Sequence, residues 1–224
     1  RSSSYVYKHV VKPILFRFSP DSVHNGLLRF GRISVRIPFA KRIITHIFRY
    51  EDSRLQQTVC GLTFDNPVGL SAGFDKNFEL LELLPAVGFG FVEGGSLTAQ
   101  ASDGNPRPHY HRLKKSRSIL VNAGLNNHGV DAVIRKIKSY RAIEYPLNIS
   151  VAKTNALSAA SEREGIDDYV TSLRKIKKAG VGNLITINIS CPNAFGGEPY
   201  TTPDKLEKLL SAIDAVGLTL PIFI

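Results

Sequence analysis

The most informative segment of the chain is Leu184-Ile185-Thr186-Ile187-Asn188-Ile189-Ser190-Cys191-Pro192-Asn193, because an apolar run ends there in a cluster of polar residues. Its aliphatic first half, rich in β-branched residues, predicts a short buried strand. The polar residues arrive together at the carboxyl end, where parallel α/β barrels hold their ligands. Two carboxamides can bracket a planar polar ligand, and the thiol between them can take or give a proton. The alternative interpretation is a packed cysteine between two turn-forming asparagines.

The chain after about residue 60 alternates β-branched apolar segments with amphipathic ones. This alternation predicts a parallel sheet whose strands are connected by helices. We expect strands at residues 68–71, 90–93, 147–151, 184–189 and 221–224. We expect helices near residues 77–86, 129–141, 166–179 and 203–215. A five-stranded doubly wound sheet is the alternative, but it is disfavoured because no glycine-rich dinucleotide motif follows the first strand.

These units amount to about half of an eight-stranded barrel, which typically needs about 250 residues. We therefore predict an α/β protein of the (β/α)8 TIM-barrel class, with only about the first half of the barrel present. A small helical extension precedes it. The expected boundary separates an N-terminal segment, residues 1–54, from the barrel portion, residues 55–224.

The composition is that of a globular protein with an uneven distribution of charge. Hydrophobic residues make up 43% and charged residues 21% of the chain, and no apolar run reaches the length of a membrane span. Cys60 and Cys191 lie far apart, which argues against a disulfide framework or a zinc site. Residues 1–60 hold 11 Lys and Arg against 3 Asp and Glu, whereas residues 61–224 hold 18 against 16. The basic N-terminal segment predicts an anionic partner, either a membrane surface or a nucleic acid.

Three amphipathic segments follow one another in this basic region. The first covers residues 3–18, the second begins at Ser19-Pro20-Asp21, and the third runs over residues 39–48. A serine cap followed by proline and an acidic residue is typical of a helix start. Basic residues are interleaved with bulky apolar ones, which suits a bilayer interface better than a nucleic-acid backbone. We expect peripheral membrane contact and no nucleic acid; packing on the barrel or a transit peptide are the alternatives.

The predicted strands end in residues that suit a ligand site. The first strand runs into Gly69-Leu70-Ser71-Ala72-Gly73-Phe74-Asp75-Lys76-Asn77. Its small residues let a flat ligand approach the backbone, and Lys76 can pair with an anion, the alternative being a solvated lysine at a helix start. The second ends in Glu93-Gly94-Gly95-Ser96-Leu97-Thr98, and the third offers Asn148, Ser150 and Lys153. Residues 121–127 add three asparagines with unusual hydrogen-bonding capacity. Together these residues predict one pocket for a planar polar ligand.

Four motifs carry a resemblance to a known family. They are Asn66-Pro67-Val68-Gly69-Leu70-Ser71-Ala72-Gly73-Phe74-Asp75-Lys76-Asn77, Gly88-Phe89-Gly90-Phe91-Val92-Glu93-Gly94-Gly95-Ser96-Leu97-Thr98, Asn105-Pro106-Arg107-Pro108 and Asn188-Ile189-Ser190-Cys191-Pro192-Asn193. In this order they resemble the dihydroorotate dehydrogenases. Residues 5–36, and Phe18-Ser19-Pro20-Asp21-Ser22-Val23-His24 in particular, resemble the helical extension of the membrane-bound, quinone-reducing class.

The resemblance implies a (β/α)8 barrel that holds FMN at its strand ends and oxidises dihydroorotate to orotate in pyrimidine biosynthesis. It implies that Cys191 takes the C5 proton, that the flavin takes the C6 hydride, and that a quinone enters between the N-terminal helices. The implied substrate-binding residues are Lys76, Asn122, Gly124, Leu125, Asn188 and Asn193. The implied FMN contacts are Ala72, Gly73, Lys76, Ser96, Ser150 and Asn188, with Asn148 as an alternative to Ser150. No metal site is expected, and His109 and His111 are expected on a surface loop.

Two residues depart from the pattern of the quinone-reducing class. Cysteine at the position of Cys191 is typical of the soluble class, and Leu125 stands where the membrane-bound class has Phe. A thiol is a competent base near neutral pH, its reference pKa being about 8.5. Fumarate or NAD as electron acceptor therefore remains an alternative, as does a non-catalytic basic module that binds membranes or nucleic acid. The N-terminal helices favour the quinone, which implies a peripheral protein on the cytoplasmic face of a bacterial membrane or on the mitochondrial inner membrane.

Overall fold

The computed structural model describes residues 2–198 and 200–224. Its central element is a five-stranded parallel sheet with strands β3, β4, β7, β8 and β9 in that spatial order. Their bounds are Gly69–Leu70, Phe91–Leu97, Leu147–Val151, Leu184–Ile187 and Ile222–Phe223. Each strand therefore pairs with the next sheet strand along the chain, with no reversal of direction in the order. A doubly wound sheet contains such a reversal, so the sheet is the first part of a (β/α)8 barrel.

Four helices connect or follow these strands: α5, α6, α7 and α8, at Leu84–Val87, Gly129–Lys138, Glu162–Ala179 and Pro203–Asp214. The longest, α7, starts in a capping box, in which Ser161 and Glu164 each bond to the other's backbone N–H, and it ends at Gly180 in the left-handed conformation. A short 3₁₀ turn, Leu157–Ala159, precedes it. The core lies between helices and sheet and includes the fully buried Ile149, Leu173 and Ile185. Its burial fixes the strand ends that carry the polar residues.

The helix expected at residues 77–86 is wrong for most of its length, because α5 covers only its last turn. The Asp75 carboxylate accepts the backbone N–H groups of Glu79 and Leu80 at 2.7 and 2.8 Å. Phe78, which is fully buried, has a φ of 57°. A left-handed residue interrupts an α-helix, so the chain turns here before α5 begins.

Two antiparallel hairpins were not expected from the sequence. Strands β1 and β2, at Gln57–Val59 and Leu62–Phe64, form the first. Strands β5 and β6, at Tyr110–Leu113 and Ser118–Val121, form the second. The second hairpin leads from the end of β4 to α6, and it supplies part of the wall of the cavity described below.

The N-terminal segment is helical, as expected. Helices α1 and α2, at Ser2–Val6 and Lys12–Leu15, flank a π-helical turn at Tyr7–Val11. Helices α3 and α4 follow at Pro20–Ser34 and Ala40–Phe48, and a 3₁₀ turn, Ser53–Leu55, precedes the first hairpin. Over the described ranges, no helix has both the length and the apolar character that crossing a bilayer requires.

Helix α3 docks closely on the barrel. Gly31 lies against Leu80 and Leu83, and a Cβ on Gly31 would come within 2.5 Å of Leu80 Cδ2. At the other end of the helix, the Asp21 carboxylate accepts the backbone N–H groups of His109 and Tyr110. The surface position expected for His109 is wrong: the residue is 4% exposed, its ring nitrogen lies 2.8 Å from the backbone oxygen of Asn105, and the Asp21 carboxylate lies 3.9 Å from the ring. His111, in β5, is exposed as expected.

Candidate functional site

The polar strand ends open onto a cavity of about 570 Å³. It lies where β3, β4 and β8 end, which is the face that holds the ligands of (β/α)8 barrels. Nine of the residues predicted for a ligand site line this cavity: Ala72, Gly73, Lys76, Ser96, Gly124, Leu125, Asn188, Cys191 and Asn193. The structure therefore brings residues from four separate parts of the chain to one space.

The two remaining predicted residues, Ser150 and Asn122, adjoin lining residues of the cavity. Ser150 is buried, and its hydroxyl lies 2.7 Å from the hydroxyl of Ser96. Asn188 donates to the same Ser96 oxygen at 2.8 Å, so the ends of β4, β7 and β8 share a small polar cluster. Asn122 is half-buried, and its amide oxygen accepts from Asn105 at 2.7 Å. Ser150 therefore contacts the lining residue Ser96 from behind, and Asn122 lies in the chain between two lining residues, Val121 and Ala123.

Asn148, the alternative to Ser150, has a different environment. Its amide nitrogen donates to Thr186 of β8 at 2.8 Å, and its buried amide oxygen has no hydrogen-bond partner among the described residues. It is therefore tied to β8, whereas Ser150 contacts the polar cluster at the cavity wall.

Lys76 is the principal cation at the cavity. Burial lowers the pKa of Lys76 to about 8, against the opposing effects of Asp21 and Cys191. Its ammonium group donates to the amide oxygen of Asn126 and lies 5.7 Å from the ring centroid of Tyr110. A half-buried ammonium with one hydrogen-bond partner retains donors for an anionic ligand.

Cys191 lies in a loop that we call the Cys191 loop, residues 188–198. Its start is held by Tyr169, whose hydroxyl donates to the backbone oxygen of Asn188 at 2.7 Å. Further on, the amide nitrogen of Asn193 donates to the backbone oxygen of Val121 at 2.9 Å. The thiol of Cys191 is half-buried between these anchors and faces the cavity.

The later part of the Cys191 loop is held by two side chains that follow β7. Lys153 is 4% exposed, and its ammonium group donates to the backbone oxygen of Phe195. Asn155 accepts the backbone N–H of Phe195 at 2.5 Å. Lys153 was noticed in the sequence as a polar strand-end residue, whereas Asn155 was missed. The sequence signal that could have identified Asn155 is its position three residues after Ala152, the last small residue of the strand end, where the chain still lies beside the site.

The opposite wall of the cavity is largely apolar. Helix α3 contributes Pro20, Val23, His24 and Leu27, and the second hairpin contributes Tyr110, Arg112, Ile119 and Val121. The His24 ring nitrogen is 2.8 Å from the backbone oxygen of Phe74, which joins α3 to the segment after β3. The N-terminal segment and the barrel strand ends therefore enclose the same space.

A parallel half-barrel with a cavity at its carboxyl edge defines a (β/α)8-barrel protein whose cavity lies where this fold usually holds its ligands. The sequence model of the family "Dihydroorotate dehydrogenase" matches residues 54–224. The chain belongs to the dihydroorotate dehydrogenase family.

Relatives named "Dihydroorotate dehydrogenase (quinone)" match most of this chain. The protein of Christiangramia forsetii is 33% identical over 208 residues, which are 93% of this chain and 59% of the relative. That of Haloarcula marismortui is 35% identical over 212 residues, 93% of this chain and 57% of the relative. The chain thus spans somewhat more than half the length of the curated relatives it matches.

Solved structures agree with the fold. The DHODH of Eimeria tenella in complex with ferulenol superposes with a TM-score of 0.74 at 26% identity, covering 88% of this chain and 51% of that one. The ligand-free form of the same enzyme gives a TM-score of 0.71 at 27% identity, covering 88% of this chain and 53% of that one.

Proposed function

We propose that the complete protein oxidises dihydroorotate to orotate, a step of pyrimidine biosynthesis, and passes the electrons to a quinone. One observation carries this proposal: a single cavity is lined both by Cys191 and Lys76 and by helix α3 of the N-terminal segment. Family membership and the quinone named for the relatives support it.

In this proposal Cys191 is the general base. Its half-buried sulfur faces the cavity, within reach of a ligand bound there, and would take the C5 proton of dihydroorotate. Lys76 would hold the substrate carboxylate as an ion pair. Asn122, Asn188 and Asn193 would bind the pyrimidine ring, and Gly124 and Leu125 would cover it.

FMN is the cofactor that this proposal requires, and when bound it would supply the acceptor for the C6 hydride and the relay of electrons to the quinone. The residues present fit a flat, polar-edged group. A Cβ on Gly73 would meet no atom within 4 Å, so the backbone there leaves open space beside the cavity. Ala72 adds only a methyl group to the same wall. Ser96 and Asn188, with Ser150 behind them, offer hydroxyl and amide groups at its edge.

The N-terminal segment, residues 1–54, would bring the protein to the membrane and admit the quinone. Its helices expose large apolar side chains, among them Phe30, Ile43 and Ile47. Basic residues between them suit anionic lipid headgroups. We propose peripheral attachment, at the cytoplasmic face of a bacterial membrane or at the inner mitochondrial membrane in a eukaryote, and no nucleic-acid partner.

The decisive experiment mixes the full-length protein anaerobically with dihydroorotate and follows the flavin absorbance. Bleaching would support the substrate and the cofactor, and subsequent recovery on adding a quinone would support the acceptor. Recovery of the flavin absorbance with fumarate or NAD, but not with quinone, would identify a different electron acceptor. The cysteine at position 191 leaves that outcome open. Purified, folded protein without flavin would overturn the site assignments around Cys191 and Lys76.

A further inference from the structure

Asn105 and Asn155 connect the loops that surround the candidate site. Asn155 donates to the backbone oxygen of Gly124 at 2.9 Å and accepts from the backbone N–H of Phe195 at 2.5 Å. Asn105 donates to the backbone oxygen of Asn193 at 3.0 Å and to the amide oxygen of Asn122 at 2.7 Å. The two side chains bond to each other at 3.3 Å. Four segments of the chain therefore meet in one amide network.

The orientation of each amide in this network follows from the backbone groups it meets. A backbone oxygen only accepts and a backbone N–H only donates. Asn155 must therefore direct its nitrogen to Gly124 and its oxygen to Phe195. Asn105 must direct its nitrogen to the backbone oxygen of Asn193, which leaves its oxygen for the Asn155 nitrogen.

Asn122 takes its orientation from Asn105. Because Asn105 donates to it, Asn122 uses its oxygen inside the network, and its nitrogen has no hydrogen-bond partner among residues 2–198 and 200–224. Asn193 is oriented oppositely, since its nitrogen donates to the backbone oxygen of Val121. Asn122 is thus left with a free donor and Asn193 with a free acceptor.

We propose that Asn105 is a positioning residue that sets the hydrogen-bonding polarity of the site. Asn105 leaves the N–H groups of Asn122 free, and Val121 leaves the side-chain oxygen of Asn193 free. Together these groups complement a ring edge with a carbonyl beside an N–H. Asn105 does this without touching the ligand. The inference rests on the proposed function, because it assigns Asn122 and Asn193 to the ring of a dihydropyrimidine or pyrimidine ligand.

The test is a double-mutant cycle in the full-length protein, with orotate affinity read from the flavin absorbance. Asn105→Asp keeps the shape of the side chain but removes both donors. Asn122 must then turn its nitrogen inward to reach the new carboxylate, so the free atom becomes an acceptor. We expect the orotate Kd to rise about tenfold, the effect of one lost hydrogen bond to an anionic ligand. The KM for dihydroorotate should rise in parallel, with a smaller change in kcat.

The second arm of the cycle separates positioning from simple damage. In an Asn122→Ala background, Asn105→Asp should raise the orotate Kd by less than about threefold, because the residue it orients is gone. A merely structural role would give the same penalty in both backgrounds. Asn183→Asp is the matched control: Asn183 accepts the backbone N–H of Leu147 at the opposite end of the sheet and should leave the affinity unchanged.

Asn155→Asp provides an independent variant if Asn105→Asp does not fold. It keeps the acceptor for Phe195 but loses the donors to Gly124 and Asn105, so orotate affinity should fall in the same direction. Wild-type affinity in whichever of these variants folds would overturn the inference. Wild-type protein that neither binds orotate nor is reduced by dihydroorotate would instead overturn the proposed function.

Discussion

The hydroxyl oxygens of Ser96 and Ser150 lie 2.7 Å apart and join the ends of β4 and β7 beneath the cavity wall. Ser96 also accepts from Asn188, so a neighbouring hydroxyl and an amide hold it in place. Because the cluster is buried, its hydrogen bonds are protected from water, and losing one partner has a cost that an exposed pair would not have.

Ser150→Ala should lower the free energy of unfolding of the full-length protein by about 1 kcal/mol, the usual net contribution of a buried hydrogen bond. It should also lower the flavin content of the purified protein. Denaturant unfolding and the flavin-to-protein absorbance ratio measure the two effects. Ser172→Ala is the control, because the buried Ser172 hydroxyl has no partner among the described residues and its removal should be nearly neutral. Equal effects of the two changes would contradict the role of the cluster.

The lowered pKa of Lys76 predicts a pH dependence of ligand binding. Burial holds this pKa at about 8, so the ammonium group loses its proton as the pH rises through 8, while an unfolded chain would keep it to about 10.5. The orotate Kd should therefore rise about tenfold between pH 7 and pH 9. Lys76→Met should bind weakly at both pH values and show no such change. Lys175→Met, which removes an exposed partner of Asp131, should retain the wild-type profile.

The contact of Asp21 with the second hairpin predicts that the N-terminal segment serves the quinone half-reaction. Asp21→Asn should weaken the bonds to the backbone of His109 and Tyr110 and lower the free energy of unfolding by about 1–2 kcal/mol. The KM for quinone should rise several-fold, while flavin reduction by dihydroorotate stays within about twofold of wild type. Stopped-flow reduction and steady-state quinone assays separate the two. Asp131→Asn, at an exposed ion pair, is the control.

Membrane attachment should depend on the exposed apolar face of α4. Ile43 and Ile47 are 57% and 58% exposed, and burying each in the bilayer interface would contribute about 1.5–3 kcal/mol. Replacing both with Gln should lower affinity for vesicles with anionic lipid at least tenfold in a flotation assay. Leu157→Gln removes an even more exposed apolar side chain, 75% exposed, from the barrel portion and should have no effect. Unchanged flotation of the double variant would argue against α4 as an anchor.

The sheet could be predicted from the sequence because its strands are short β-branched runs with a strong local signal. Residues 147–151 were predicted without error, and the expected strand at residues 184–189 ended two residues late because Asn188 and Ile189 already belong to the loop. The helix at residues 77–86 was wrong for a reason that is tertiary. The Asp75 carboxylate accepts two backbone N–H groups, and Phe78, which is buried in the core, has a left-handed backbone.

The residues of the candidate site likewise divide into those that local motifs reveal and those that depend on tertiary contacts. Lys76 and Cys191 stand in motifs that can be recognised, and the cavity brings them together. Asn105 and Asn155 could not be assigned in advance, because their partners lie 17 to 88 residues away and depend on how four loops meet. The environment of His109 likewise depends on a tertiary contact, since its neighbour Asp21 in α3 stands 88 residues earlier in the chain.

Gly31 affects the dimensions of the cavity although it is not one of the residues of α3 that line it. Because Gly31 has no side chain, the backbone of α3 approaches the Leu80 and Leu83 side chains so closely that a Cβ would clash with both. Any larger residue there would have to turn Leu80 out of the core or lift the helix, and with it His24 and Leu27. The gap between α3 and the strand ends would then widen. Gly31 lies on the same face of α3 as His24 and Leu27, one to two turns further along, so the width of the cavity depends on a helix contact outside its lining.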